Sequence, residues 1–139
     1  LVELRDLARG IHPAVLTDRG LDAAISALAA RCPVPVDVTV DVAERPSATV
    51  EAVAYFVVAE ALTNVAKHAE ATSASVLVRR RGQALAVEIG DDGRGGADAA
   101  AGGGGLAGLA ERVQSVDGTL TVTSPDGGPT RVLAVLPCV

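Results

Sequence analysis

The stretch 73–90, SASVLVRRRGQALAVEIG, does most to decide the fold class of this 139-residue chain. It contains two runs rich in aliphatic residues, 73–80 and 84–90, with Arg81-Gly82-Gln83 between them. Two such runs joined by a short glycine-containing connection predict an antiparallel β-hairpin. Aspartate and glycine residues follow the second run directly, so a polar turn is expected at one end of a sheet.

The chain upstream of this hairpin alternates between helical and strand patterns. Valine at every second position from 36 to 42, with polar residues between, is typical of a half-buried strand. Pro13 interrupts an otherwise helical region and predicts a connection there. The predicted segments are a helix over 1–9, a connection over 10–19, a helix over 21–30, a strand over 36–42 and a long helix over 47–68.

Downstream, a glycine- and alanine-rich loop over 91–105 leads into a predicted helix over 106–116. Two further strands, 119–123 and 131–136, are joined by a Pro- and Gly-containing hairpin connection. Consecutive antiparallel strands at the end of the chain argue against a doubly wound parallel sheet. We therefore predict an α/β fold of two layers, in which helices cover one face of a mixed, mainly antiparallel sheet.

Composition excludes several classes of function. The chain has 12 basic and 17 acidic residues, a formal net charge of −5, whereas nucleic-acid-binding modules and polybasic membrane-binding segments carry a positive surface. The longest apolar run, 52–59, is far shorter than the roughly 20 residues that span a bilayer, and no signal peptide is recognisable. Cys32 and Cys138 are far apart in sequence and are expected to be free thiols of an intracellular domain.

The long predicted helix has a polar stripe near its end. Glu60, Asn64, Lys67 and His68 project within an arc of about 100° if the helix is regular. The other positions are mostly apolar, which is typical of a buried helix. A carboxylate, an amide and a cation on such a helix favour a functional site, because unpaired buried polar groups are costly. An ordinary solvated face is the alternative.

Two glycine-containing segments follow the hairpin. Asp91-Asp92-Gly93-Arg94-Gly95 comes directly after a strand, and taken alone it is better explained as a plain turn than as a binding site. Gly102–Gly105 leads straight into a helix, whose first N–H groups can bind phosphate, although a glycine run is more often a linker. The sequence contains no P-loop motif and no recognisable nucleophile motif.

The order and spacing of these motifs are more specific than any one of them. Glu60-x-x-x-Asn64-x-x-Lys67-His68, Asp91-x-Gly93-x-Gly95 and Gly103-x-Gly105-Leu106-x-Gly108 resemble the N box and the two glycine boxes of the histidine-kinase ATPase superfamily. The chain is most similar to the catalytic ATP-binding domain of bacterial two-component sensor histidine kinases. Within them it resembles the NarL/DesK-like group, since the lid between the glycine boxes is short and lacks a phenylalanine box. The resemblance implies a Bergerat-type ATP-binding fold.

The resemblance also implies a role for each matched residue. Asn64 would coordinate Mg²⁺ between the nucleotide phosphates, and Glu60 would hold a Mg²⁺-bound water or orient the reacting groups. Lys67 and His68 would contact phosphate oxygens, Lys67 and Glu60 acting in catalysis. Asp91 would accept the exocyclic amine of adenine. The other expected nucleotide-binding residues are Gly93 and Gly95 beside the adenine, Gly103, Gly105, Leu106 and Gly108 in the lid, and Thr130, preceded by Pro129 where the family often has glycine.

The implied activity is transfer of the γ-phosphoryl group of ATP to a histidine, for relay to a response regulator. Residues 1–16 resemble the end of a dimerisation region with its linker, and 17–139 the ATPase domain. His12 precedes a proline and lacks an adjacent acid, so it is interpreted as a linker residue and the acceptor is expected outside this chain. The expected partners are the protein's own dimerisation domain, in a homodimer, and a response regulator, without nucleic-acid or membrane contact by this cytoplasmic domain.

Two alternatives remain open from the sequence. An anti-sigma-factor-type serine kinase shares the ATP-binding fold but has no dimerisation helices, and residues 1–16 weigh against it. A domain that binds a nucleotide without transferring phosphate would have the same three motifs.

Overall fold

A computed structural model of the chain describes residues 14–95 and 105–138. The elements are α1 (Ala14–Arg19), α2 (Leu21–Arg31), β1 (Val36–Asp41), α3 (Ala48–Asn64), β2 (Ala74–Arg81), β3 (Ala84–Asp91), α4 (Gly105–Gln114), β4 (Thr119–Thr123) and β5 (Thr130–Pro137). A π-helical turn, Val65–Ala69, continues α3. The predicted helix over 1–9, His12 and Gly103 lie outside the described residues.

The five strands form one sheet in the order β1-β2-β3-β5-β4. β1 pairs with β2 in parallel, and the other neighbours are antiparallel. The predicted mixed, mainly antiparallel sheet is therefore confirmed. In the β2–β3 hairpin Arg81 pairs with Ala84, so the turn is the two residues Gly82 and Gln83, one fewer than predicted.

Helices cover one face of this sheet. Burial alternates along the strands, and in β3 the side chains of Leu85, Val87 and Ile89 are buried on the helix-facing side. α2 packs on β1, α3 packs on β3 and β5, and α4 packs on β4. The predicted two-layer α/β architecture is confirmed, and the core lies between the sheet and α3.

α3 is the central core helix, and it begins where the sequence predicts. Ser47 caps it by accepting a hydrogen bond from the Val50 amide at 3.2 Å. Its side chains are buried nearly all round, Val57 and Val58 completely. By length and composition alone, the helical stretch Ala48–Lys67 is long and apolar enough to cross a membrane. The apolar run 52–59, which is much shorter, did not indicate this. In this structure 61% of the most apolar part of that stretch is buried inside the domain, as in a core helix.

The connection predicted over 10–19 is wrong in its described part, because residues 14–19 form α1. Proline is tolerated in the first turn of a helix, where its missing N–H has no intrahelical partner, so a proline at position 13 of the sequence does not exclude a helix over 14–19. Leu16 is 1% exposed and joins the core.

An ion pair between the exposed Arg45 guanidinium and the buried Glu51 carboxylate attaches α1 to α3. Glu51, in the first turn of α3, is buried, and its carboxylate accepts hydrogen bonds from Arg45 at 2.9 and 2.7 Å. The same guanidinium donates to the carbonyl oxygens of Leu16 and Thr17 at 3.1 and 3.3 Å. Arg45 therefore satisfies carbonyl groups of α1 and compensates the charge of a buried carboxylate.

Candidate functional site

Asp91 is the last residue of β3 and its side chain faces the helix layer. It is 7% exposed, and one carboxylate oxygen accepts a hydrogen bond from the Gly93 amide at 2.8 Å. Burial raises the pKa of the Asp91 carboxyl above its ordinary value, and the hydrogen bond from Gly93 opposes that shift. A carboxylate has about four acceptor sites, so this one retains capacity for a donor group of a ligand.

Thr130 lies directly across the sheet from Asp91. The two residues are register partners at the end of the β3–β5 ladder, and Thr130 is 5% exposed on the same face. The hydroxyl groups of Thr130 and Ser124 are 2.6 Å apart. The connection containing Pro129 therefore brings Thr130 beside Asp91, and the strand end presents a carboxylate next to a hydroxyl pair.

The turn after β3 packs backbone to backbone against the turn between β4 and β5. Gly95 has φ +71° and Gly128 has φ +80°. A Cβ on Gly95 would overlap the Pro125 carbonyl oxygen, and a Cβ on Gly128 would overlap the Gly93 carbonyl oxygen. Glycine at 95 and 128 is thus required by packing alone, whatever ligand lies nearby.

Glu60 and Asn64 are half-buried and lie one turn apart near the end of α3. Lys67 is exposed in the π-helical turn that follows, and the side chain of His68 lies outside what the structure describes. The predicted common stripe assumes 100° per residue, whereas a π-helical turn is wider. Glu60 and Asn64 therefore lie in regular α-helix, whereas the assumed 100° per residue does not apply to Lys67 and His68 in the π-helical turn.

The structure adds one residue that the sequence reasoning passed over. Asp92 accepts hydrogen bonds from both the amides and the hydroxyls of Thr72 and Ser73. These bonds hold the pKa of Asp92 well below its ordinary value, the opposite direction to its neighbour Asp91. The hairpin register decides this contact: the observed two-residue turn pairs Ala74 with Asp91 and so places Ser73 opposite Asp92, whereas the predicted three-residue turn would place Thr72 opposite it.

Gly105 and Leu106 begin α4, and nothing is described of the Leu106 side chain. Gly108, in the first turns of the same helix, has open space around a hypothetical Cβ among its described neighbours, so packing does not require glycine there. Farther along, Leu109 and Val113 are buried, and the Arg112 guanidinium lies 4.5 Å from the centre of the Phe56 ring. The contact between Arg112 and Phe56 joins α4 to α3.

A cavity of about 380 Å³ lies at the same end of the sheet. Its lining includes Asp91 and Thr130. It also includes Asp37, Ser75, Glu88 and Arg131, whose positions alternate with the buried residues of their strands and therefore belong to the other face. Glu88 and Arg131 form an ion pair there. We assign the candidate site to the helix-facing side, because the buried side chains of Asp91 and Thr130 lie on that side.

The chain matches the family model described as histidine kinase-, DNA gyrase B-, and HSP90-like ATPase over residues 49–139. The sensor histidine kinase YvfT of Bacillus subtilis (strain 168) is 35% identical over 68 residues, which are 49% of this chain and 18% of that protein. This chain thus spans a small part of that relative.

Solved structures give the same likeness. The histidine kinase domain of the blue-light activated histidine kinase of Erythrobacter litoralis EL346 matches with a TM-score of 0.65 at 26% identity, over 82% of this chain and 57% of that chain. The histidine kinase AdeS of Acinetobacter baumannii shares the fold with a TM-score of 0.64 at 14% identity, over 99% of this chain and 76% of that chain. Because the family model matches residues 49–139, more than half of the chain, the chain belongs to the histidine kinase-, DNA gyrase B-, and HSP90-like ATPase family and forms a histidine kinase-like ATPase domain.

Proposed function

We propose that this domain binds Mg-ATP and donates the γ-phosphoryl group to a histidine on the dimerisation domain of its own protein, for relay to a response regulator. The observation that carries the proposal is the buried Asp91 carboxylate, opposite Thr130 at a strand end and followed by the Gly93–Gly95 turn. A buried carboxylate with free acceptor capacity suits the exocyclic amine of adenine. The proposal includes a cytoplasmic domain of the NarL/DesK-like group, in which residues 1–16 are the end of the dimerisation helix with its linker and 17–139 are the ATPase domain.

The adenine end of the site would be formed by β3, β5 and the turn after β3. Asp91 would accept the adenine amine, and Thr130 would contact the ring directly or through water. Gly93 and Gly95 would let the backbone pass beside the base. Because Asp91 is buried, a base with no hydrogen-bond donor facing it would leave the carboxylate without a donor from the ligand. This favours adenine, whose exocyclic amine donates, over guanine.

The phosphate end would be formed by α3, its π-helical turn and the start of α4. Lys67, which is exposed, would donate to phosphate oxygens as a charge-assisted partner, with His68 beside it. Backbone N–H groups at the start of α4, with Gly103, Gly105, Leu106 and Gly108 as the lid, would face the same phosphates.

Asn64 and Glu60 fit a Mg²⁺ site that depends on the nucleotide. Mg²⁺ prefers oxygen ligands, keeps several waters and is commonly held by one or two side chains together with substrate phosphates. The described residues include no group of three His, Cys, Asp or Glu side chains that would hold a metal independently. When bound, the metal would neutralise charge on the β- and γ-phosphates. Asn64 would supply an amide oxygen, and Glu60 would orient a metal-bound water.

In the proposed reaction a histidine nitrogen forms a bond to the γ-phosphorus while the bond from that phosphorus to the β–γ bridging oxygen breaks, and ADP leaves. The protein contributes chiefly position and electrostatic stabilisation. His12 would be a linker residue, so the acceptor would come from a dimerisation helix upstream.

The test incubates the chain with γ-labelled ATP and Mg²⁺, alone and together with a polypeptide carrying the dimerisation helices of the same protein. We expect acid-labile, base-stable label on a histidine of the added polypeptide and none on the chain alone, with Asn64→Ala as the inactive control. Label on His12 overturns the linker assignment. Acid-stable label on serine identifies a serine kinase, and nucleotide binding without any transfer identifies a binding module.

A further inference from the structure

Two segments that lie far apart in sequence meet beside the candidate site. One is 70–73, which connects the π-helical turn after α3 to β2, and the other is 91–94, which ends β3. The Asp92 carboxylate accepts hydrogen bonds from the Thr72 amide and hydroxyl at 2.8 and 2.6 Å, and from the Ser73 amide and hydroxyl at 3.1 and 3.0 Å. The Asp92 amide donates to the Ser73 carbonyl oxygen at 3.3 Å.

These bonds hold the connecting segment by its backbone as well as by its side chains. Both carboxylate oxygens take part, each accepting two bonds, so the carboxylate has one defined orientation relative to the segment. Hydrogen bonds to an ionised acceptor are shorter and stronger than neutral ones. Asp92 is itself exposed, so its contacts define geometry at the surface and bury little area.

The linked segments lead to opposite ends of the proposed nucleotide site. Asp92 directly follows Asp91, the proposed adenine acceptor. Upstream of Thr72, the chain passes through Glu70, with φ 52°, to the π-helical turn that contains Lys67 and to Asn64 at the end of α3. Arg94 and Glu70 add an exposed ion pair between the same two segments at 3.8 Å.

We propose that Asp92 is a positioning residue of the nucleotide site: through Thr72 and Ser73 it fixes the end of α3 against the end of β3, and so sets the spacing between the phosphate-binding residues and Asp91. This inference rests on the proposed function. ATP would contact both ends at once, so a change in their spacing would lower the affinity for the whole nucleotide. It would leave unchanged the affinity for a ligand that binds at the adenine end alone. Small displacements of positioned groups are known to have large effects on reactivity.

The test compares the affinities of adenosine and Mg-ATP in titrations followed by NMR, which measures weak as well as tight binding. Asp92→Ala is expected to leave the adenosine Kd within about twofold and to weaken Mg-ATP by about tenfold or more. Asp92→Asn retains an oxygen that accepts from the Thr72 and Ser73 amides, so it is expected to recover most of the Mg-ATP affinity. Asp18→Ala, which removes an exposed carboxylate from α1, controls for the change in net charge.

The ratio of the adenosine and Mg-ATP affinities distinguishes a positioning role of Asp92 from a general loss of structure in the variant. Equal weakening of both ligands in Asp92→Ala, or unchanged binding of both, overturns the positioning role. Failure of Asp92→Asn to recover Mg-ATP affinity also contradicts it, because the backbone contacts would then not be the link. Failure of the unmodified chain to bind either ligand overturns the proposed function itself, and the inference with it.

Discussion

Asp91 and Thr130 face each other as register partners on β3 and β5, and both side chains are buried on the helix-facing side of the sheet. This pair joins residues 39 positions apart in sequence into one site with a carboxylate acceptor and a hydroxyl group. The hydroxyl of Ser124, the residue that follows β4, lies 2.6 Å from the Thr130 hydroxyl.

Thr130→Val is expected to weaken ATP binding by roughly threefold to tenfold and to lower the free energy of unfolding by about 1 kcal/mol. Valine has nearly the same shape but cannot make the hydrogen bond to Ser124. Calorimetric titration and denaturant unfolding measure the two effects. Thr121→Val, at an exposed position on β4, is the matched control and is expected to change neither.

The adjacent carboxyl groups of Asp91 and Asp92 are expected to affect stability with opposite dependence on pH. The pKa of Asp92 is lowered in the folded chain, so its stabilisation is present above its ordinary pKa of 3.8 and is lost as the pH falls below that value. The pKa of Asp91 is raised, so its charged form costs stability, and this cost develops as the pH rises from 3.8 through the folded value.

Denaturant unfolding from about pH 3 to pH 7 measures these slopes against Asp92→Asn and Asp91→Asn. The stability of the unmodified chain relative to Asp92→Asn should increase with pH, and relative to Asp91→Asn it should decrease. Parallel slopes for the two variants would show that the environments of these carboxyl groups differ from the ones described.

Gly95→Ala is expected to destabilise the domain much more than Gly82→Ala. Both glycines have positive φ, which costs an alanine roughly 1–2 kcal/mol. Only at Gly95 does the added Cβ also overlap backbone atoms, those of Pro125 and Gly128, which adds roughly 1–3 kcal/mol or displaces the turn. Equal losses in thermal or denaturant unfolding would contradict the packing of the two turns.

Arg45→Met is expected to lower the melting temperature more than the double change Arg45→Met/Glu51→Met. The single change leaves the buried Glu51 carboxylate without its cation, whereas the double change removes that charge as well. Thermal unfolding followed by circular dichroism measures the difference. A double variant less stable than the single one would mean that Glu51 stabilises the fold without Arg45.

Sequence patterns within single segments predicted most of the fold, whereas features that no such pattern marks were missed. Ser47 before a long apolar run marked the start of α3, and alternation of valines marked β1, because both signals lie within one segment. The π-helical turn Val65–Ala69 has no comparable signal in its sequence. The helix α1 was missed because Pro13 was taken to end a helix, although proline is also tolerated in the first turn of one.

The candidate site was predictable in its parts and less so in its connections. Asp91 and Asn64 were recognisable from their motifs, but the contact of Asp92 with Thr72 and Ser73 depends on the register of the β2–β3 hairpin. An error of one residue in the turn length shifts that register and changes which residues meet. The reason for glycine at 95 likewise lies in a turn about 30 residues later, which no local pattern reveals.

The most direct test of the account is a calorimetric titration of Mg-ATP into the unmodified chain and into Asp91→Asn, with Asp18→Asn as the control for charge. The account predicts micromolar to submillimolar binding to the unmodified chain and to the control, and a loss of at least about tenfold in Asp91→Asn, since a hydrogen bond to a charged acceptor contributes about 1.5–3 kcal/mol. Equal binding of Mg-ATP to all three proteins would mean that the nucleotide site lies elsewhere and would contradict the assignment of Asp91.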